Sequence, residues 1–334
     1  MESESYTIVS MSPLPESFFR ALFAPYTREL DKPLDIIVLE DPENREAVKE
    51  ALEKADVVIG DYSFRFRITR EICDMMKKVK LIAQPSTGYD HIDVKACAEK
   101  GVPVANIGAA NAVSVAEYTI MTALALLRRL MKAHNDLSNG LWSQWELMEL
   151  GTYDLFGKTW GVIGLGRIGR EVVKRLRGFD VRILYYDKYR LPSGEEEKLG
   201  VEYAPFPKLL KLSDVISIHV PLTDETRHMI GERELRLMKP TAILINPSRG
   251  EIVDEEALAR ALREGWIMGA AVDVYTVEPP GPDHPLIKVK GVNIITTPHI
   301  AGATSDARTR IIQVTVENVV RVLKGEKPLN VVNM

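Results

Sequence analysis

The chain has 334 residues, enough for two buried cores. Its 43 Lys and Arg stand against 47 Asp and Glu, and the net charge of -4 gives no electrostatic footing for nucleic acid. The acidic start, Met-Glu-Ser-Glu-Ser, holds no apolar signal core, and the apolar run from Ile120 stops at Arg128, far short of the roughly 20 residues a membrane span needs. Cys73 and Cys97 lack metal-ligand spacing and read as reduced, partly buried thiols of a cytoplasmic protein.

The first hundred residues alternate strand and helix. Tyr6 to Ser10 and Asp35 to Leu39 are short apolar runs. Asp41-Pro42 reads as an N-cap with proline at the first helical position, opening a helix to about Lys54. Asp56 to Gly60 is the next strand, Thr69 caps a helix to about Lys78, and Lys80 to Gln84 is a strand. Asp93 then caps a short helix that Gly101 ends, and Val102 to Ala105 returns as a strand. Such alternation predicts a parallel sheet with helices on both faces.

A second alternating run opens with a long apolar helix from Ser114 to about His134. The strand Thr159 to Ile163 follows and runs into Gly164-Leu-Gly166-Arg167-Ile168-Gly169. Gly164 permits a tight turn, Gly166 lets backbone approach a pyrophosphate, and Gly169 lets helix and strand pack closely. The helix that opens there offers unpaired N–H groups to phosphates. The apolar run from Val181 ends on Asp187, eighteen residues after Gly169, where a carboxylate accepts the ribose hydroxyls of an adenosine. Asp187 disfavours a 2′-phosphate, while Lys188 and Arg190 beside it would tolerate one, so NAD is expected with NADP as the weaker alternative. Later strands are Asp214 to His219, Thr241 to Asn246, Ile267 to Val272 and Val292 to Thr296. Glu255 to Glu264 is a helix closed by Gly265, and the helix Thr304 to Lys324 stops at Gly325.

Three segments beyond the fingerprint hold reactive residue types at strand ends. They are Asn246-Pro-Ser-Arg249-Gly250, Asp273-Val-Tyr-Thr-Val-Glu278-Pro279 and Thr297-Pro-His299-Ile-Ala-Gly302. Open α/β sheets bind ligands at that edge. Oxidising a 2-hydroxy acid needs a base for the hydroxyl proton, a cation for the carboxylate and a hydride acceptor. His299 suits the first role because imidazole titrates near neutrality. Arg249 suits the second through two-pronged geometry, and Glu278 is placed to orient His299. His219, in His219-Val220-Pro221, ends a strand and lines the cofactor side, whereas His134, His228 and His284 read as surface or loop residues.

The chain resembles the D-2-hydroxyacid dehydrogenase family over nearly its whole length. The resemblance rests on Ser86-Thr87-Gly88-Tyr-Asp90-His-Ile-Asp93, Ser114-Val-Ala-Glu117, Gly157-Lys-Thr, the Gly164–Gly169 fingerprint, His219-Val-Pro221 and the three segments above. It implies two doubly wound α/β domains with a cleft between them: a flavodoxin-like substrate domain (1–107 with 301–334) and a Rossmann NAD-binding domain (108–300). It implies that Arg249, Glu278 and His299 form the catalytic trio and that Ser86, Thr87 and Gly88 present N–H groups to the substrate carboxylate. On the cofactor side it implies Gly164, Gly166, Arg167, Ile168, Gly169, Asp187, His219, Val220, Pro221, Thr226, Asn246, Asp273, His299 and Gly302, with no metal. It also implies a homodimer through the segment from Ser114 to Gly157 of the NAD-binding domain, with Trp142 and Trp145 as anchors. The chain ends at Met334, so no further regulatory domain is expected.

For the substrate, the loop Asp61-Tyr62-Ser-Phe64-Arg65 is expected to face the cleft, with Tyr62 and Phe64 favouring a small 2-oxo or 2-hydroxy acid such as glyoxylate or hydroxypyruvate. Gln84-Pro85 stands where phosphoglycerate dehydrogenases of this family usually place an arginine, which weighs against a phosphorylated acid, although Arg65 offers a cation nearby. The rival readings are a 3-phosphoglycerate dehydrogenase and, from another class, a non-catalytic regulator that senses NAD on the same fold.

Overall fold

The computed structural model describes residues 5–334. Among them, those up to Asn111 join Ser305–Met334 in one compact unit, and Ala112–Thr304 form another. The first unit holds five strands: β1 (Tyr6–Ser10), β2 (Leu34–Val38), β3 (Val57–Ile59), β4 (Leu81–Ala83) and β5 (Val104–Ala105). They pair in parallel in the order β2-β1-β3-β4-β5, the flavodoxin-like arrangement. Alternate residues supply two cores, as strand geometry requires. Val9, Val58 and Ile82 pack with Val48, Leu52, Ile72 and Cys97 on one face. Ile8, Val57, Ile59 and Leu81 pack on the other with Phe19 and Phe23 of helix Glu16–Phe23 and Val316, Val319 and Leu323 of helix Ser305–Leu323.

The second unit holds seven parallel strands: β6 (Thr159–Ile163), β7 (Arg182–Tyr186), β8 (Glu202–Tyr203), β9 (Val215–Ile218), β10 (Ile243–Asn246), β11 (Gly269–Val272) and β12 (Ile294–Thr296). Their order is β12-β11-β10-β9-β6-β7-β8. The order reverses between β6 and β9, which makes their carboxyl ends the switch point of a Rossmann sheet. Trp160, Val162, Tyr185 and Ile245 face the helices Ala112–Leu127 and Arg167–Leu176, and Ile163, Leu184, Ile218 and Leu244 form the opposite core. No helix of the described residues is long and apolar enough to cross a membrane.

Four local expectations are corrected. The helix expected from Asp41-Pro42 begins at Arg45, because Asn44 Oδ1 takes the Ala47 N–H while Asp41 caps only the turn at Glu43. The helix after Thr69 ends at Met75, with Met76 turning out of helical geometry. The long apolar helix is two helices, Ala112–Leu127 and Leu130–Ser138. Arg129 breaks it in the left-handed region at φ 48°, and its guanidinium is held by the carbonyls of Gly151 and Leu150. His284 is no surface residue: its ring accepts the Leu286 N–H and meets Glu255 Oε2 at 3.1 Å.

The C-terminal segment covers β5, an edge that would otherwise expose unpaired backbone groups. Val332 N–H donates to Val104 O, and Asn333 bonds both Val104 N–H and Val102 O. Asn318, 1 % exposed, anchors this segment by accepting the Leu329 N–H at 2.6 Å and donating to the Leu329 carbonyl at 3.2 Å. Asn318→Ala should therefore cost about 1–3 kcal/mol, the usual penalty for stranding buried partners. The check is a lower urea midpoint for the first unit; an unchanged midpoint contradicts the anchoring role.

Candidate active site

At the carboxyl end of β6 the chain must turn sharply into a helix. Gly164 does so at φ 91°, where a Cβ would stand 2.8 Å from the carbonyl of His219 and from Val220 Cγ1. The fingerprint therefore lies directly against His219-Val220-Pro221, which leaves β9. Gly166 caps helix Arg167–Leu176 without any side-chain bond, and nothing lies within 4 Å of where its Cβ would be. That open space over a helix N-terminus fits a pyrophosphate. Asp187 follows β7, and its Oδ2 accepts the Leu165 N–H at 2.7 Å, which ties the acid to the same turn. His219 Nε2 meets Ser217 Oγ at 2.9 Å, while the buried Nδ1 has no partner. Burial pushes this imidazole down to about 3, so it stays neutral. Open backbone donors, an acid at the strand tip and an unpaired buried ring nitrogen suit a dinucleotide. Ile168 packs on Val115, Tyr118 and Ala301, and Arg167 is exposed. Thr226 Oγ1 donates to the Pro221 carbonyl and shapes the turn after β9.

Lys188 and Arg190 are both engaged by carboxylates. Lys188 Nζ lies 2.7 Å from each Glu225 oxygen, and Arg190 bonds Glu196 at 2.9 and 3.2 Å. Asp187 thus stands beside two neutralised cations.

The reactive residues sit on the loops after β10, β11 and β12 of the same unit. His299 Nδ1 meets Glu278 Oε2 at 2.7 Å, and Glu278 Oε1 accepts the Tyr275 N–H at 3.0 Å. Burial works to raise the Glu278 carboxyl. The His299 bond and charge, the Tyr275 N–H and the Arg249 charge outweigh it and hold the acid below its usual range. Asn246, 1 % exposed, fixes the Arg249 loop by donating to the Arg249 carbonyl and accepting the Ser248 N–H. His299 itself adopts φ 54°, and its N–H donates to the Asp273 carbonyl at 2.8 Å.

Asp273 spends its carboxylate on the His299 loop. It accepts Thr297 Oγ1 at 2.5 Å, Ile300 N–H at 2.8 Å and Ala301 N–H at 2.7 Å. Burial pushes this acid up, against those three bonds. Thr297 Oγ1 also meets Tyr118 Oη at 2.7 Å. Tyr118 and Thr297 went unnoticed as positioning residues in the sequence. Thr297 opens the Thr-Pro-His triplet and Tyr118 directly follows Ser114-Val-Ala-Glu117, but only the fold brings them together. Gly302 lies just past this pinned stretch.

In the first unit, Tyr62 and the Ser86–Gly88 loop follow β3 and β4, whose carboxyl ends flank that sheet's own edge. Asp61, 1 % exposed, shapes the Tyr62 loop by accepting the Ser63 and Phe66 N–H groups. Tyr62 is exposed, whereas Phe64 stacks edge-on against His91 with centroids 4.6 Å apart. Gln84, 1 % exposed, donates to the Asp61 carbonyl and to Ser86 Oγ, and Ser86 Oγ donates to the Gly88 carbonyl. Thr87 Oγ1 donates to Asn111 Oδ1. These side-chain bonds set the loop's shape with a neutral amide at its root. Arg65 Nε reaches Ser63 Oγ at 3.4 Å within its own loop.

Residues 120–301 match the family model for the D-isomer specific 2-hydroxyacid dehydrogenase NAD-binding domain. A glyoxylate reductase of Korarchaeum cryptofilum is 42 % identical over 301 residues, covering 90 % of this chain and 89 % of its own. A D-3-phosphoglycerate dehydrogenase of Methanocaldococcus jannaschii is 41 % identical over 291 residues, covering 87 % of this chain and 54 % of its own. The D-lactate dehydrogenase of Aquifex aeolicus, solved with NAD and lactic acid, superposes with a TM-score of 0.84 at 32 % identity, covering 98 % of this chain and 99 % of its own. With its fingerprint, its acid at the tip of β7 and its matching NAD-binding domain, the chain belongs to the D-2-hydroxyacid dehydrogenase family as an NAD-dependent oxidoreductase.

Proposed function

We propose that the chain reduces a small, unphosphorylated 2-oxo acid of the glyoxylate or hydroxypyruvate type, with Arg249, Glu278 and His299 carrying the reaction. The observation behind this reading is the 2.7 Å His299–Glu278 bond together with the Arg249 charge acting on the same carboxylate. The fingerprint would hold NADH, which would supply the hydride for the 2-oxo carbon. His299, with Nδ1 fixed by Glu278, gives its Nε2 proton to the oxygen in reduction and takes it back in oxidation. Arg249 pairs with the substrate carboxylate and polarises the 2-oxo group. On the substrate side we assign Tyr62 and, through their backbone N–H groups, Ser86, Thr87 and Gly88.

Two further assignments rest on specific features. The buried Gln84 puts a neutral amide where a phosphate would call for a cation, which favours the unphosphorylated acid. Self-association as a homodimer is supported by Leu141, Trp142, Trp145 and Met148, four large apolar side chains left exposed on one short segment, with Trp142 at 77 %.

The decisive assay compares kcat/KM for hydroxypyruvate and for its 3-phosphorylated form, in the parent and in Arg65→Ala. The unphosphorylated acid should win in both. A strong parental preference for the phosphorylated acid, lost in Arg65→Ala, would establish the phosphoglycerate reading instead, and no turnover with any 2-oxo acid would establish the regulator.

Cofactor choice gives a second outcome. Asp187→Ser should raise relative NADPH use, and adding Glu225→Gln should raise it further by releasing Lys188. A parent that already prefers NADPH would contradict both steps.

A further inference from the structure

Helices Arg70–Met75 and Val94–Glu99 pack against each other over one face of the first unit's sheet. Each turns one cysteine inward. Cys73 and Cys97 are the only two cysteines of the sequence, both are 0 % exposed, and their sulfurs lie 2.8 Å apart. That separation is well inside the distance at which two unbonded sulfur atoms rest. A bond of about 2.05 Å requires the sulfurs to approach by only roughly 0.8 Å more. The pair sits in an apolar cluster with Ile72, Met76, Ala96 and Val102. Among the described residues no group of three His, Cys, Asp or Glu could hold a metal ion, so the two thiols are not part of a metal site.

We propose that Cys73 and Cys97 form a disulfide site that staples these two helices together. The structure carries both as free thiols, as the sequence leads one to expect, but fully rather than partly buried and in contact with each other. Forming the bond takes one proton and one electron from each thiol. Both electrons and both protons pass to a disulfide of the small-molecule or protein class, whose S–S bond opens to two thiols. Neither sulfur is reachable while the helices are docked, so exchange proceeds through their transient undocking, and redocking then shields the finished bond from reductant. The staple joins positions 24 apart and closes a loop that contains all of β4 and the Ser86–Gly88 turn. Its effect is to restrict the unfolded chain, which stabilises the folded unit.

The test equilibrates the full chain, starting from both reduced and oxidised protein, across a series of glutathione to glutathione-disulfide ratios. One set is native and one is in denaturing urea, and each sample is quenched, alkylated under denaturing conditions and weighed. The native protein should lose both alkylatable thiols as a monomeric species about 2 Da lighter, the mass of the two hydrogens removed on forming the bond. Its half-oxidation point should lie about 100-fold further toward reduced glutathione than in urea, the ratio that a disulfide stabilising the fold by a typical amount requires. Cys73→Ala and Cys97→Ala should each abolish the mass loss. Two alkylatable thiols at every ratio, a bond between chains instead of within one, or a native half-oxidation point equal to that in urea would each overturn the proposal.

Discussion

Asp273 holds the chemistry of the second unit in place. It is 0 % exposed at the carboxyl end of β11, and a carboxylate at that depth is costly unless donors surround it. Three donors do, from Thr297, Ile300 and Ala301, and the Asp273 carbonyl takes the His299 N–H. The loop is therefore pinned immediately before and after the imidazole, which fixes His299 in a left-handed conformation that few non-glycine residues adopt. Tyr118 extends the same network by bonding Thr297 from the helix Ala112–Leu127. On the neighbouring loop Glu278 folds back onto Tyr275 N–H and presents its second oxygen to Nδ1. The imidazole is held from its backbone and from its ring.

The parallel sheet explains why such pieces meet. Each of β6, β9, β10, β11 and β12 ends at the same edge, and each leads into one of the segments proposed to carry the function: the fingerprint, His219, Arg249, Glu278 and His299. The proposed cofactor part is shaped by backbone geometry and the proposed catalytic part by charge. Around Asp187 the cations that could welcome a 2′-phosphate are paired with Glu225 and Glu196. Exposed pairs of this kind are weak singly, so in the proposed reading they bias the cofactor choice and Asp187 decides it.

Much of this was legible in the sequence because it is written in local signals. The central strands are apolar runs buried on both faces, and the fingerprint needs glycines at fixed spacing. Arg249, Glu278 and His299 stand out because their residue types fall just after strands, and the structure brings Glu278 against His299. What escaped the sequence depends on contacts between distant positions. Arg129 breaks a helix without glycine or proline nearby, because carbonyls at Leu150 and Gly151 reward its guanidinium. Asn44 rather than Asp41 caps its helix, since Asp41 is spent on a turn. Glu225 lies 37 positions from Lys188, and Thr297 lies 179 from Tyr118, so neither pairing has a local signature. His284 is a loop residue, but its hold on Glu255, 29 positions away, has no local signature.

The most direct test of the account is His299→Ala, followed by both NADH binding and turnover of a 2-oxo acid. Loss of the proton donor should lower kcat by about 10²–10⁴-fold, the usual worth of general acid–base catalysis, while NADH binds as in the parent. Near-parental turnover with the parental pH profile would show that the proton comes from elsewhere and would contradict the central assignment.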